Sequence, residues 1–272
     1  NFEDWAIMIP KQADPYYYYF SIGNEGEETT QYYGIYGMTT DKITSYSDCF
    51  FVRPDSDVPE WSYGKYWYGI NTNAFYNADP MNDPSGQYID LAAGQDMNGN
   101  HYRAMYGGDL QGVLEKLDYI KDLGATAIWF SPLYQSPDYD YGYDISDYRK
   151  IDEKFGTMED FDRLLNECHA RDLKVIMDMV INHTSTEHEW FRSAVSSEDT
   201  PYRDYYIIRK GKKDGDKLLP PTNWESAFTG SAWERIGDTD EFYLHLFCKE
   251  QADLNWENPA VRKEIIDILN FW

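Results

Sequence analysis

The stretch that decides the fold is Lys174-Val175-Ile176-Met177-Asp178-Met179-Val180, an apolar run that carries a single aspartate. It predicts a buried strand, and the polar pair Asn182-His183 follows it closely. Working outward, residues 66–70 and 126–130 predict two earlier strands of the same kind. Strands that alternate with helices indicate parallel βα units, so the sequence predicts an α/β fold.

Helix signals separate these strands. Apolar residues recur at helical spacing from Leu110 to Leu123 and predict a first helix. Thr157 is predicted to cap a second helix, and Asn258 followed by Pro259 is predicted to open a third.

Two connections are much longer than the roughly 2–6 residues usual between a strand and a helix. They are residues 72–108, before the first helix, and residues 183–258, before the third. Each follows the carboxyl end of a strand, where barrel enzymes build their active sites. We therefore predict functional loops or an inserted domain in these two places.

Charge excludes several classes of protein. The chain has 24 Lys and Arg against 48 Asp and Glu, a net charge of −24. Nucleic-acid binding and adhesion to an anionic membrane both need a basic surface, so neither is expected. No apolar run approaches the roughly 20 residues of a membrane span. No signal peptide is visible, although the chain starts at Asn1 rather than Met, and a cytoplasmic and a secreted location both stay open.

The cysteines exclude two kinds of site, and the aromatic residues suggest one kind of ligand. The 3 cysteines show neither a disulfide framework nor a C-x-x-C zinc spacing. The chain also has 9 Trp, 25 Tyr and 13 Phe, which suits amphipathic contact surfaces such as sugar sites or, equally, a Tyr-rich β-domain. Residues 1–65 contain short aromatic runs at 16–22, 32–37 and 49–52 that predict strands.

Four segments in this order carry a family resemblance over residues 66–272, namely 142–148, 151–157, 178–183 and 251–259. Together they resemble the α-amylase superfamily of glycoside hydrolases, nearest to its oligo-1,6-glucosidase, neopullulanase and cyclomaltodextrinase members. The resemblance implies the N-terminal portion of a (β/α)8 TIM barrel, with an inserted domain after strand 3 and the end of a β-sandwich before the barrel.

The resemblance also implies domain boundaries. Residues 1–65 would be the C-terminal part of the sandwich and residues 66–182 the barrel units from strand 1 to strand 3. Residues 183–258 would be the inserted domain and residues 259–272 the start of the third barrel helix.

The same resemblance assigns site residues. Tyr143 would stack on the glucose in subsite −1, while Asp144 and His183 would bind its hydroxyl groups. Asp178 and Asn182 would brace the site. These residue types suit a sugar, since an aromatic face covers the apolar side of the ring and carboxylate or imidazole groups bond to hydroxyls. From the residues alone, a Tyr/Asp-rich turn and a histidine that only ends a strand remain alternatives.

Oxygen-bearing residues in the first long connection suggest calcium. Several Asn and Asp side chains recur within a few positions, and oxygen donors suit this ion, although the spacing is not that of an EF-hand. An ordinary Asn/Asp/Pro loop is the alternative. The resemblance implies one calcium ion held by six residues: Asn77, Asp79, Asn82, Asp83, Gly107 and Asp109.

The implied activity is hydrolysis of α-glucosidic bonds in maltodextrin, pullulan, cyclodextrin or isomalto-oligosaccharide by a retaining mechanism. No Gly-Phe-Arg-x-Asp segment, which would hold the nucleophile, is present, so we expect the nucleophile and the acid/base beyond Trp272. The expected partner is an α-glucan, with a homodimer through the N-terminal domain as a further implication. The alternative is a non-catalytic sugar-binding or partner subunit.

Overall fold

The computed structural model describes residues 16–23, 31–52, 59–84 and 105–272. The chain divides into two compact units, Asn1–Gly64 and Lys65–Trp272. No helix within the described ranges is long and apolar enough to cross a membrane.

The first unit consists of short antiparallel strands. In chain order they are β1 (Tyr16–Tyr18), β2 (Phe20–Ile22), β3 (Gln31–Gly34), β4 (Gly37–Thr39) and β5 (Phe50–Val52). β1 pairs with β5, and β2, β3 and β4 form a second sheet. The aromatic runs therefore form strands as predicted. Whether this unit ends a β-sandwich stays a prediction.

The second unit alternates strands and helices. Its elements in chain order are β6 (Trp67–Ile70), α1 (Leu110–Glu115), α2 (Leu117–Asp122), β7 (Ala127–Phe130), β8 (Tyr134–Gln135), β9 (Asp147–Ile151), α3 (Met158–Ala170), β10 (Lys174–Met177), β11 (His183–Ser185), α4 (Glu189–Ser196), β12 (Ile208–Lys210), β13 (Lys212–Asp214), β14 (Lys217–Leu219), β15 (Trp233–Arg235), β16 (Glu241–Leu244), β17 (Gln251–Asp253) and α5 (Pro259–Phe271).

A parallel sheet of β6, β7 and β10 lies at the centre of this unit, with β7 in the middle. The three strands predicted from apolar runs are confirmed. β10 ends at Met177, three residues earlier than predicted, so Asp178 lies just past the strand. The carboxyl ends of the three strands share one edge because the strands are parallel.

The predicted helix caps are confirmed. Thr157 and Asp160 form a reciprocal capping box at the start of α3. The Asn258 side chain accepts a hydrogen bond from the backbone of Ala260, with Pro259 in the first turn of α5. The first helix, in contrast, is split at Lys116, where ψ is 5° and the N–H turns back to carbonyls in α1.

One face of the parallel sheet is buried and the other is open. Ile70, Ile128 and Phe130 pack against the helices in one apolar core. On the opposite face, Trp67 is 54% exposed and Trp129 is 46% exposed. The prediction that the first strand is buried is therefore wrong on this face, where Trp67 stays half exposed in the described part of the chain. Parallel sheets are ordinarily covered on both faces.

The long connection after β10 returns to its own beginning. β11 pairs antiparallel with β17, which places His183 opposite Asp253. Between them, β12, β15 and β16 form a small antiparallel sheet. This pairing brings the two ends of residues 183–258 close together. Its status as a separate inserted domain stays a prediction.

Candidate functional site

The loop between β8 and β9 is built around the buried carboxylate of Asp144, which is 0% exposed. This carboxylate accepts hydrogen bonds from Ser136 Oγ at 3.1 Å, Tyr139 N at 3.1 Å and Asp140 N at 2.9 Å. Burial raises the pKa of Asp144 to about 6, although these donors favour the ionised form. Asp144 therefore holds residues 136–144 in one conformation.

Left-handed backbone conformations mark the same loop. φ is 63° at Asp138, 50° at Tyr141 and 86° at Gly142. Residues other than glycine adopt this region at an energetic cost, which persists where the surrounding structure fixes them and is frequent at functional sites. The result is a rigid turn that presents Tyr143.

Tyr143 joins this loop to the end of β10. Its hydroxyl group donates to Asp178 Oδ2 at 3.0 Å. Asp178 is held in turn by its own backbone N–H, which donates to Phe130 O at 3.1 Å. Burial, together with the negative charge of Asp178, raises the pKa of Tyr143 to about 12, so the phenol stays a donor at neutral pH.

His183, at the start of β11, closes the cluster. Its Nε2 lies 3.0 Å from the Tyr143 carbonyl oxygen and its Nδ1 lies 3.2 Å from Asn182 Nδ2. Since a carbonyl oxygen only accepts, Nε2 carries the proton and Nδ1 accepts from the amide. Burial lowers the pKa of His183, which is 4% exposed, so the imidazole is neutral.

Asp253, on the neighbouring strand β17, completes this network. Its Oδ1 accepts hydrogen bonds from Leu246 N at 3.0 Å and from Asn182 Nδ2 at 3.3 Å. Burial raises the pKa of Asp253 to about 6. A second carboxylate with a perturbed pKa next to His183 is typical of a functional site.

Sequence reasoning missed three residues that the structure brings to this cluster. Besides Asp253, Gln251 Nε2 donates to Asp140 Oδ2 at 2.9 Å and so ties β17 to the loop that carries Tyr143. The Phe247 ring lies 5.3 Å from the His183 ring. Asp253 and Gln251 belong to a segment already used for the resemblance, which was the available signal. Phe247 is one of many aromatic residues in the sequence, and no motif or spacing distinguishes it from the others.

The structure thus brings four of the five predicted site residues together. Tyr143, Asp178, Asn182 and His183 are linked by direct hydrogen bonds. Asp144 is next to Tyr143 in sequence, but its carboxylate bonds inside the loop. Contact of Tyr143, Asp144 or His183 with a sugar, and bracing by Asp178 and Asn182, stay predictions.

The predicted calcium residues lie in a loop organised by Asp109. As the cap of α1, Asp109 Oδ1 accepts from Gly112 N at 2.5 Å. Its Oδ2 accepts from Ala78 N at 3.0 Å and from Asp79 N at 2.8 Å. Nearby, Gly107 has a φ of 75°, a conformation that favours glycine. The carboxylate of Asp109 therefore already ties the two ends of this loop together.

The remaining predicted ligands pair with one another or stay unpaired. Asn77 Nδ2 donates to Asp83 Oδ1 at 2.8 Å, and Asp79 Oδ1 accepts from Met81 N at 3.1 Å. Asn77 Oδ1 and Asn82 Oδ1 are buried without a hydrogen-bond partner among the described residues. Among all the residues that the structure describes, no group of three or more His, Cys, Asp or Glu is placed to hold a metal. Calcium binding stays a prediction.

A comparison with known families decides the relationship. The model of the α-amylase catalytic domain matches residues 69–272. The chain belongs to the α-amylase family. The resemblance inferred from the four segments is thereby confirmed, and the three parallel strands are the N-terminal part of the TIM barrel of this family.

Two curated relatives are each 58% identical over 165 residues. They are the trehalose-6-phosphate hydrolase of Bacillus subtilis and an oligo-1,6-glucosidase of Heyndrickxia coagulans. In each case the match covers 61% of this chain and 29% of the relative. The chain therefore spans less than a third of the length of these relatives.

Solved structures give the same relationship. The trehalose-6-phosphate hydrolase of Bacillus licheniformis superposes with a TM-score of 0.63 at 46% identity, over 79% of this chain and 34% of that one. The isomaltulose synthase of Protaminobacter rubrum superposes with a TM-score of 0.66 at 41% identity and the same coverage.

Proposed function

We propose that the natural full-length protein hydrolyses α-glucosidic bonds in short oligosaccharides, and that Tyr143, Asp178 and His183 form its glucose-binding subsite. The observation that carries the proposal is the double anchoring of Tyr143. Its hydroxyl group bonds to Asp178 at 3.0 Å and its carbonyl oxygen bonds to His183 at 3.0 Å. This arrangement fixes an aromatic ring at the carboxyl edge of the parallel sheet, where barrel enzymes bind substrate.

The cluster offers what a pyranose ring requires. The half-buried Tyr143 and Phe247 supply aromatic surface for the apolar face of a sugar. Asp178 is partly exposed and can accept further hydrogen bonds from hydroxyl groups, since a carboxylate has about four lone-pair sites. His183 stays neutral and acts through position rather than charge.

The proposed mechanism retains the configuration of the sugar. It needs a nucleophile and an acid/base whose carboxyl groups lie about 5–5.5 Å apart. Asp144 and Asp253 are buried and bonded within the protein, and Asp178 is tied to Tyr143. The proposal therefore assigns the catalytic pair to parts of the natural protein outside residues 1–272.

The substrate proposal starts from the names of the relatives, which act on oligo-1,6-glucosides and trehalose 6-phosphate. We propose short α-glucosides as the preferred substrates, and maltodextrin, pullulan and cyclodextrin as less favoured ones. The test uses the natural full-length protein on isomaltose, maltotriose, trehalose 6-phosphate, pullulan and β-cyclodextrin. NMR would follow the anomer of glucose that is released first. We expect α-glucose from at least one short substrate; release of β-glucose, or no turnover of any substrate, would refute the proposal.

We also propose that the loop after β6 binds one calcium ion. Two buried amide oxygens, on Asn77 and Asn82, have no hydrogen-bond partner among the described residues and support this site. The other proposed donors are oxygens of Asp79, Asp83, Asp109 and Gly107, which suits a hard cation. The ion would stabilise the loop that leads into α1.

Association through the N-terminal unit is a further proposal. A homodimer of this kind rests on the family resemblance alone. The mass of the natural protein in solution, measured by light scattering with and without residues 1–65, tests it.

A further inference from the structure

A buried lysine lies directly behind the loop that carries Tyr143. Lys154 follows β9, and its side chain is 9% exposed. Its Nζ lies 2.7 Å from Asp138 Oδ2 and 2.7 Å from Asp152 Oδ2. Removing three charges from water costs free energy, which their mutual attraction often only offsets. The position of this ion-pair cluster therefore suggests a role other than stability alone.

We propose that Lys154 is a positioning residue that holds the loop of residues 136–144, and with it Tyr143 and Asp144, in the geometry of the glucose subsite. This inference rests on the proposed function for its effect on substrate, but its effect on the loop is independent of it.

A first set of contacts connects Lys154, through Asp152, to the start of the loop. Asp152 Oδ2, which pairs with Lys154, also accepts a hydrogen bond from Ser136 N at 3.0 Å. Asp152 Oδ1 accepts from the backbone of Lys154 at 3.2 Å. The lysine, the aspartate and the first residue of the loop thus form one unit.

A second set of contacts connects Lys154, through Asp138, to Asp144. Asp138 N donates to Ser136 Oγ at 3.0 Å, and this hydroxyl group donates to Asp144 Oδ1 at 3.1 Å. The ion pair of Asp138 with Lys154 therefore fixes the residue that connects to the central carboxylate of the loop.

Charge explains why a cation is needed here. Asp138, Asp140, Asp144 and Asp152 lie within or beside the loop. Among the described residues, Lys154 is the one cation in ion-pair contact with Asp138 or Asp152. Burial raises the pKa of Asp138, while Lys154 lowers it. Without the lysine, two largely buried carboxylates would be left close together.

Backbone conformation points the same way. Asp138, which pairs with Lys154, is itself in the left-handed region, with a φ of 63°. Aspartate tolerates this conformation better than most residues, and it is kept where the surrounding structure fixes it. The ion pair with Lys154 is one of the contacts that fix Asp138.

The first experiment is kinetic and uses Lys154→Met in the natural full-length protein. We expect KM for the best α-glucoside to rise at least about fivefold and kcat/KM to fall at least about tenfold, because the subsite is misplaced. A purely structural role would reduce the fraction of folded enzyme, which lowers kcat and leaves KM unchanged. The matched control is Lys150→Met, whose side chain is 65% exposed and pairs with Asp147 at the surface. It should leave both constants within about twofold.

A double variant tests the charge argument. Adding Asp138→Asn to Lys154→Met removes one stranded carboxylate, and asparagine tolerates the left-handed backbone. KM should lie between the values of Lys154→Met and wild type, because the repulsion between carboxylates is relieved while the ion pair stays lost. A KM unchanged in Lys154→Met, or a double variant further from wild type than Lys154→Met alone, would overturn the proposal.

A second measurement does not depend on activity or on the folding of Lys154→Met. In Asp138→Asn alone, Lys154 keeps its ion pair with Asp152, while its contact with residue 138 weakens from an ion pair to a neutral hydrogen bond. Hydrogen exchange followed by mass spectrometry should become faster in residues 136–144 and stay unchanged in α3. Unchanged exchange in the loop overturns the proposal even if wild type hydrolyses no α-glucoside, whereas failure of wild type on every α-glucoside with faster loop exchange refutes only the proposed function.

Discussion

At the scale of single residues, Asp253 lies in the candidate site, and its burial disfavours the charged form of its carboxylate. It is buried opposite His183, and burial raises its pKa to about 6. Both of its hydrogen bonds, from Leu246 N and Asn182 Nδ2, end on Oδ1. An asparagine can keep these two bonds through its own Oδ1. Asp253→Asn is therefore close to an isosteric removal of the charge.

We predict that Asp253→Asn stabilises the folded protein above pH 6. In the unfolded chain this carboxyl titrates near its usual pKa of about 3.9. The folded pKa of about 6 is higher, so the protonated form stabilises the fold below pH 4 and this contribution is lost as pH rises through 6. At pH 8 the variant should be more stable by up to about 2–3 kcal/mol, and the difference should vanish near pH 4.

Denaturant unfolding of the natural protein at pH 4, 6 and 8 measures this difference. Burial lowers the pKa of His183, which makes the folded state more stable as pH rises, opposite to the effect of Asp253. Since both proteins contain His183, this contribution cancels in the comparison. Asp118→Asn, at an exposed side chain, serves as the control. Stability curves for wild type and Asp253→Asn that stay parallel across this range would contradict the prediction. Loss of activity with gained stability is the expected pattern for a functional carboxylate.

At the scale of elements, local signals predicted the helices and strands well. The strands β6, β7 and β10 follow from apolar runs, and the caps of α3 and α5 follow from Thr157, Asn258 and Pro259. Each of these signals acts within a few residues. The split between α1 and α2 was not predicted, because the apolar spacing runs on through Lys116 without a break.

Long-range pairing was the part that the sequence could not predict. The register of β11 against β17, which places His183 opposite Asp253, joins positions far apart in the chain. The internal hydrogen bonds of the Asp144 carboxylate, from Ser136, Tyr139 and Asp140, were also not predicted, while its contact with a sugar stays a prediction. These hydrogen bonds depend on the conformation of the loop, which residue types alone do not fix.

The loop between β6 and α1 provides a prediction at this scale. If calcium is held by the oxygens around Asn77 and Asn82, chelation should lower the melting temperature of the natural protein, because a bound ion stabilises the folded state by mass action. Added calcium, but not zinc, should restore it, since the donors are oxygens. Asn82→Ala should lose the response, whereas Asn223→Ala, at an exposed position in another loop, should keep it. A melting temperature indifferent to chelation would refute the site.

At the scale of the whole molecule, one face of the parallel sheet is largely open in the part of the chain that the structure describes. Trp67 and Trp129 are about half exposed there, opposite the helix-packed core. Within the same described residues, β6 and β10 are the edge strands of this sheet, and an edge strand presents backbone groups for further pairing. Both features fit the N-terminal part of a TIM barrel, in which further strands cover this face and pair with β10.

We predict that residues 1–272, produced alone, do not hydrolyse maltotriose, pullulan or cyclodextrin. The reason is that Asp144 and Asp253 are buried and bonded within the protein, that Asp178 is hydrogen-bonded to Tyr143, and that one face of the parallel sheet is open in the described part of the chain. The natural full-length protein at matched concentration should release reducing sugar. Turnover by residues 1–272 that Asp144→Asn abolishes would place the nucleophile within this sequence. Acrylamide should also quench tryptophan fluorescence more strongly in residues 1–272 than in the full-length protein.

The central claim is that Tyr143 stands in the glucose subsite, and kcat/KM for a short α-glucoside tests it most directly. The comparison is Tyr143→Ala against Tyr139→Ala in the natural full-length protein. Tyr139 lies in the same loop with an exposed ring, and its bond to Asp144 comes from the backbone, which the substitution spares. We predict that Tyr143→Ala lowers kcat/KM at least about tenfold, or about 1.4 kcal/mol, and that Tyr139→Ala stays within about twofold. Equal values for the two variants would contradict the account.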